Sequence, residues 1–158
     1  MFKDTSLQYW VKAVPSRQLV VGIPLYARTY TLRDSSSAAQ GADAIGPGEP
    51  GTCTAVAGFL AFNEVCSKMP YKDQSTISNE GMSIVSGDQW VTFLHPEDYA
   101  QTVLNATKYG VRGAALWALD LDDWRGQCKC GTYPLLNIIR QTLYDTELPV
   151  EICNKYID

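Results

Sequence analysis

Residues 113–126 read G-A-A-L-W-A-L-D-L-D-D-W-R-G. Nothing from position 113 to 119 is charged, and then Asp120, Asp122 and Asp123 arrive within four positions. A short apolar run that ends abruptly in polar groups is the pattern of a buried parallel-sheet strand opening into a site. Gly113, Ala114 and Ala115 leave room for neighbouring side chains. Trp117 places a large flat ring near the strand's carboxyl end, where parallel sheets keep their ligands. The same residues also suit a core tryptophan followed by loop acids that cap a helix.

A second stretch narrows the choice. Residues 18–32 read Q-L-V-V-G-I-P-L-Y-A-R-T-Y-T-L. The run from 19 to 25 is nearly all apolar, so it too reads as a buried strand, ending in Tyr26 and Arg28. Before it, Leu7, Trp10, Val11 and Val14 fall on one helical stripe, which Pro15 terminates. Helix followed by buried strand is the alternation of an α/β barrel.

Residues 31–93 break that alternation. Positions 34–51 are rich in Ser, Ala, Gly and Pro and read as a long loop. Residues 58–68 read as a short helix with Leu60, Ala61, Phe62 and Val65 inward. Residues 81–85 and 89–93 flank Ser86-Gly87-Asp88, a hairpin signal. Residues 96–110 carry the clearest helix pattern: Pro96 in the first turn, Glu97 and Asp98 beside it, and Gly110 at the end. Its inward stripe is Tyr99, Thr102, Val103, Ala106 and Tyr109; its wet face is Asp98, Gln101, Asn105 and Lys108. Asn105-Ala106-Thr107 is a glycosylation acceptor sequence on that wet face. A last helix spans residues 135–143, with Leu135, Ile138, Ile139 and Thr142 inward, and the polar tail follows.

At 158 residues and 46% hydrophobic content, the chain is one globular domain's worth. A net charge of -4 gives no electrostatic footprint for nucleic acid or an anionic membrane, and no apolar run reaches membrane-spanning length. The first residues lack the apolar core of a signal peptide. Five cysteines nonetheless suit an oxidising compartment, an expectation of extracellular location in a protein whose true N-terminus lies upstream. With one histidine and no second ligand pair near Cys128 and Cys130, no metal or other cofactor is expected.

Residues 22–30, G-I-P-L-Y-A-R-T-Y, and 112–124, R-G-A-A-L-W-A-L-D-L-D-D-W, resemble the seventh and eighth barrel strands of glycoside hydrolase family 18 chitinases and chitinase-like lectins. Residues 58–66 and 131–136 continue the resemblance in the same order. It implies the C-terminal part of an incomplete (β/α)8 barrel, from the sixth helix to the eighth, at residues 1–30 and 94–146. An α+β domain is inserted at 31–93, and residues 147–158 form a tail. It further implies that Trp117 floors the sugar pocket, that Tyr26 and Arg28 hydrogen-bond the sugar, and that Gln89 and Trp90 are weaker candidates for the wall. Packing inside the small domain is the favoured reading of Trp90, and an ion pair with the 120–123 acids is the alternative for Arg28. The implied ligand is chitin or its oligosaccharides.

By the same resemblance Cys66 pairs with Cys128, and the Trp117–Ala118 bond is cis. Cys53–Cys130 is the expected second bridge, which leaves Cys153 over. The family's D-x-x-D-x-D-x-E acid motif does not occur in the chain, nor do its sixth-strand tyrosine and aspartate. The chain alone is therefore expected to be inactive and poorly soluble. The readings are part of a chitinase, part of a lectin lacking the acid, or an unrelated α+β binding module.

Overall fold

The computed structural model describes residues 4–68, 75–78 and 81–145. Helix α1 (Asp4–Ala13) leads into strand β1 (Val20–Pro24). Strand β1 pairs in parallel with β8 (Gly113–Trp117), with Val20 opposite Gly113 and Pro24 opposite Trp117. The Leu25 N–H donates to the Trp117 carbonyl at 2.9 Å and extends this ladder by one rung. Between these strands the chain builds a second sheet of six strands. Strand β2 (Tyr26–Leu32) is its hub. One edge of β2 takes β7 (Gln89–Phe93); the other is shared by β4 (Phe59–Ala61) and β3 (Ala44–Pro47), all antiparallel. Strands β6 (Gly81–Ser86) and β5 (Ser75–Ser78) complete the meander beyond β7.

Helix α2 (Phe62–Lys68) follows β4 directly and packs under the second sheet. Val65 joins Ala27, Leu60, Met82, Ile84, Val91 and Phe93 in a buried cluster there. Helices α3 (Pro96–Thr107) and α4 (Pro134–Asp145) cover the outer face of the β1–β8 pair. Val21, Ile23 and Leu25 of the strand side meet Tyr99, Val103, Leu135, Ile138 and Ile139 of the helices, and Leu7 of α1 joins them.

The start of α3 has a mechanism that composition alone did not reveal. The His95 side chain accepts from the Glu97 N–H, the His95 N–H donates to Asp98 Oδ2, and Pro96 occupies the first turn. That reciprocal pair satisfies N–H groups a helix start leaves open. Gly110, at φ +69°, ends the segment in a left-handed conformation that costs glycine little.

Several expectations need correction. Tyr26 and Arg28 do not end the barrel strand; they begin the inserted sheet, so the change of sheet falls at Leu25 rather than after residue 30. Residues 59–61 are a strand, not the first turn of a helix, because their N–H and C=O groups pair with β2. The long loop contains β3. Trp10 is exposed, lying at the margin of the α1 stripe that buries Leu7. Strands β1 and β8 are covered on one face only: Val20 and Trp117 are exposed, because the described residues supply helices for one side of this pair and no layer for the other.

Candidate functional site

Burial alternates without a break from residue 20 to residue 30. Val21, Ile23, Leu25, Ala27 and Thr29 are buried, whereas Val20, Gly22, Pro24, Tyr26, Arg28 and Tyr30 are not. Successive side chains of an extended chain point to opposite faces. The open face of β1 therefore continues into the open face of β2 across the change of sheet. Trp117 stands opposite Pro24 in register, with its side chain 73% exposed. The indole, the Tyr26 phenol and the Arg28 guanidinium thus stand on the open, less buried faces of their strands.

The neighbours of Tyr26 and Arg28 are aromatic. The Tyr26 and Phe59 rings pair at 4.7 Å between centroids, tilted by 30°. The Arg28 guanidinium lies 5.0 Å from the Tyr26 centroid and 5.7 Å from that of Phe59. Phe59 is brought there by the register of β4, which sets it opposite Arg28. Farther along, Tyr30 stands opposite Trp90, and their rings are 6.0 Å apart. Trp90 donates its indole N–H to the Ala38 carbonyl at 3.2 Å, so the long loop folds over it. Gln89 is not on this face. It stands opposite Thr31, accepts from the Glu49 N–H and donates to Thr31 Oγ1 and Asp88, which makes it a tie between the long loop and β2.

Of the three acids after Trp117, Asp120 is exposed and the other two face inward. Asp122 and Asp123 are fully buried. Asp122 accepts from its neighbour Asp123 N–H and from the Leu135 and Leu136 N–H groups in the first turn of α4. It is a cap supplied from a distant loop. Burial pushes its carboxyl above the usual carboxylate range; the three N–H donors pull it back only in part, and the Asp123 charge adds to the rise. Asp123 accepts from the Gln127 and Cys128 N–H groups. These two carboxylates hold the loop and the helix, so they are not partners of Arg28. The Trp117–Ala118 peptide is cis.

Beside the aromatic face lies an open groove of about 610 Å³, lined by the 52–56 loop, Phe59, Ala61, Asn63 and Glu64 on one side and by Asp120, Leu121, Trp124, Arg125 and Gln127 on the other. Phe59 belongs to both the aromatic face and the groove. Arg125 stacks on Trp124 at 4.3 Å. Among the described residues the buried Asn63 Oδ1 has no hydrogen-bond partner. Glu64 is 2% exposed; its carboxylate accepts from the Cys53 N–H at 2.6 Å, the Thr54 N–H and hydroxyl, and the Ala61 N–H. Burial alone would raise this carboxyl, but those donors outweigh it and hold it below its ordinary value. Phe59, Asn63 and Trp124 were not singled out from sequence. A three-residue strand is too short to display a period, and Trp124 lay within the motif without a separate signal.

A disulfide joins Cys66 of α2 to Cys128 and so links the helix under the second sheet to the loop after β8. The expected Cys53–Cys130 bridge is not formed, because Cys53 is a free, exposed thiol. Its backbone is instead held against Glu64 at the groove wall. Cys153 lies outside the described residues. Asn105 sits on the outer side of α3, where its Oδ1 accepts from Gln101 and Lys108.

A parallel strand pair backed by helices, with an antiparallel sheet spliced in after its first strand, defines an α/β protein of the barrel type carrying an insertion. Residues 1–122 match the family described as Glycosyl hydrolases family 18, and the chain belongs to that family. It is 38% identical over 143 residues to chitotriosidase-1 of Mus musculus, a match covering 89% of this chain and 30% of that protein. To the probable chitinase 10 of Drosophila melanogaster it is 36% identical over 147 residues, covering 87% of this chain and 6% of the relative. Among solved structures, the Ostrinia furnacalis Group IV chitinase in complex with allosamidin matches with TM-score 0.83 and 33% identity, over 90% of this chain and 39% of that one. Human YKL-39, described as a pseudo-chitinase with retained chitooligosaccharide binding properties, matches with TM-score 0.80 and 32% identity, over 89% and 39%. The chain thus spans well under half the length of these relatives, and among the described residues no closed barrel is formed.

Proposed function

We propose that this chain supplies one wall of a cleft that binds chitin and N-acetylglucosamine oligomers. The unbroken alternation from residue 20 to 30, which sets Tyr26 and Arg28, like Trp117, on the open faces of their strands, is the observation that carries this reading. A pyranose has an apolar C–H face, and an exposed indole covers it with a large contact area. A phenol hydroxyl beside it donates to a sugar or acetamido oxygen, and a guanidinium offers a fork of donors. The neighbouring groove, with the Phe59 and Trp124 rings in its walls, extends the same wall to a further sugar unit. The change of sheet at Leu25 supports a division into barrel parts at about residues 1–25 and 94–146 and an inserted domain between them. The Cys66–Cys128 bond supports an extracellular location, and Asn105 is then open to N-glycosylation.

The whole protein, on this reading, hydrolyses β-1,4-N-acetylglucosaminide bonds with retention, the substrate's own acetamido oxygen acting as nucleophile. The proton donor lies outside this chain: Glu64, Asp122 and Asp123 all turn their oxygens to backbone N–H groups. A second reading is a lectin with the same cleft and no acid. It is favoured by a resemblance to YKL-39 as strong as that to the chitinases. Calorimetric titration of chitotetraose into the full-length protein tests the binding claim. Trp117→Ala should weaken binding roughly 10- to 100-fold, the worth of a large apolar contact. Unchanged affinity in both Trp117→Ala and Arg28→Ala would overturn the carbohydrate reading. Turnover of chito-oligosaccharides by the full-length protein separates enzyme from lectin.

A further inference from the structure

We infer that Phe59 is a positioning residue for Arg28, an inference that rests on the carbohydrate-binding reading above. Arginine is the longest flexible side chain on the open face of β2, and ordering it in solvent costs rotamer entropy. Among the described residues no carboxylate pairs with it. Its guanidinium instead rests on two rings, 5.0 Å from the Tyr26 centroid and 5.7 Å from the Phe59 centroid. Those rings brace each other at 4.7 Å. Cation–π attraction to such a pair favours one orientation of the planar fork. Tyr26 offers a hydroxyl to a ligand, whereas Phe59 has no polar atom to offer. Beyond any apolar contact its ring makes in the groove, the contribution of Phe59 to recognition runs through the guanidinium it holds. It reaches this place only because β4 pairs with β2 so that Phe59 faces Arg28 across the strands. Since the same ring lines the neighbouring groove, it also fixes where the two parts of the wall meet.

The test is a double-mutant cycle on the full-length protein, read as chitotetraose affinity by calorimetry. Phe59→Leu and Phe59→Met remove the ring and keep an apolar side chain of similar size. Either should weaken binding about two- to tenfold, the range of one cation–π contact. Phe59→Tyr keeps the ring and should bind like wild type. In an Arg28→Ala background the Phe59→Leu loss should largely vanish, because there is no guanidinium left to hold. A role confined to packing would persist in that background and would overturn the inference. So would equal losses in Phe59→Tyr and Phe59→Leu, or wild-type affinity in both ring deletions. Trp117→Ala separates the two levels of the argument. If it and Arg28→Ala bind normally, the site reading itself fails and takes this inference with it. If both weaken binding and Phe59→Leu does not, only the role of Phe59 is refuted. Should Phe59→Leu not fold, Phe59→Met carries the same comparison.

Discussion

Replacing Glu64 by glutamine removes one charge and changes no volume, yet it should be among the most damaging single changes to the inserted domain. One carboxylate oxygen accepts from the Cys53 and Thr54 N–H groups, the other from the Thr54 hydroxyl and the Ala61 N–H. A glutamine carbonyl can keep the first pair. Its NH2 group then faces the Ala61 N–H, donor against donor, and only the Thr54 hydroxyl can turn to accept. Leaving one buried N–H unsatisfied costs about 1–3 kcal/mol, and the remaining bonds lose their charge assistance. The expected total is about 2–4 kcal/mol. The sign of the pH dependence follows from the lowered carboxyl. The unfolded chain protonates near 4.5, the folded one only at lower pH, so the native advantage is full above about pH 4.5 and is lost as pH falls through the folded value. Urea unfolding of wild type and variant at pH 7 and at pH 3 measures the difference. Hydrogen exchange should show the Cys53, Thr54 and Ala61 amides losing protection. A loss below about 1 kcal/mol at pH 7, or one that does not shrink toward pH 3, would refute the reasoning.

Asp122 should behave with the opposite pH sign. Asp122→Asn disturbs a buried cap on α4 and should cost about 2–4 kcal/mol; because burial raises its carboxyl, the wild-type advantage should shrink as pH rises from about 4 to 7, as urea midpoints would register. Gly51→Ala places a Cβ against the Glu64 carboxylate and should cost about 1–3 kcal/mol, by thermal or urea unfolding, and the penalty should largely disappear in a Glu64→Ala background. Expression in a secreting eukaryotic cell should give a glycosidase-sensitive mobility shift that Asn105→Gln abolishes. Breaking the Cys66–Cys128 link with a double serine replacement should lower stability by about 2–4 kcal/mol, seen as a reduced urea midpoint, while leaving the exposed Cys53 thiol open to alkylation as before.

Period and punctuation in the sequence determined much of this protein. Apolar runs gave β1 and β8, the 3.6-residue stripes gave α3 and α4 with their buried residues, and the Ser86–Asp88 turn gave the β6–β7 hairpin. Trp117, Tyr26 and Arg28 were singled out through the resemblance of their strands to the family's motifs. Long-range pairing decided the rest. Nothing local says that Phe59–Ala61 will add to β2 rather than extend α2, or that β2 belongs to a different sheet from β1 one residue earlier. Asp122 and Asp123 looked like partners for Arg28 along the chain; in space their oxygens are nearer to N–H groups of the loop and of α4. Cys53 looked like a partner for Cys130, but Cys130 is disulfide-bonded elsewhere and Cys53 stays a free thiol. Each of these outcomes is set by which groups meet across tens of residues, and a buried donor takes whichever acceptor the packing brings within 3 Å or so.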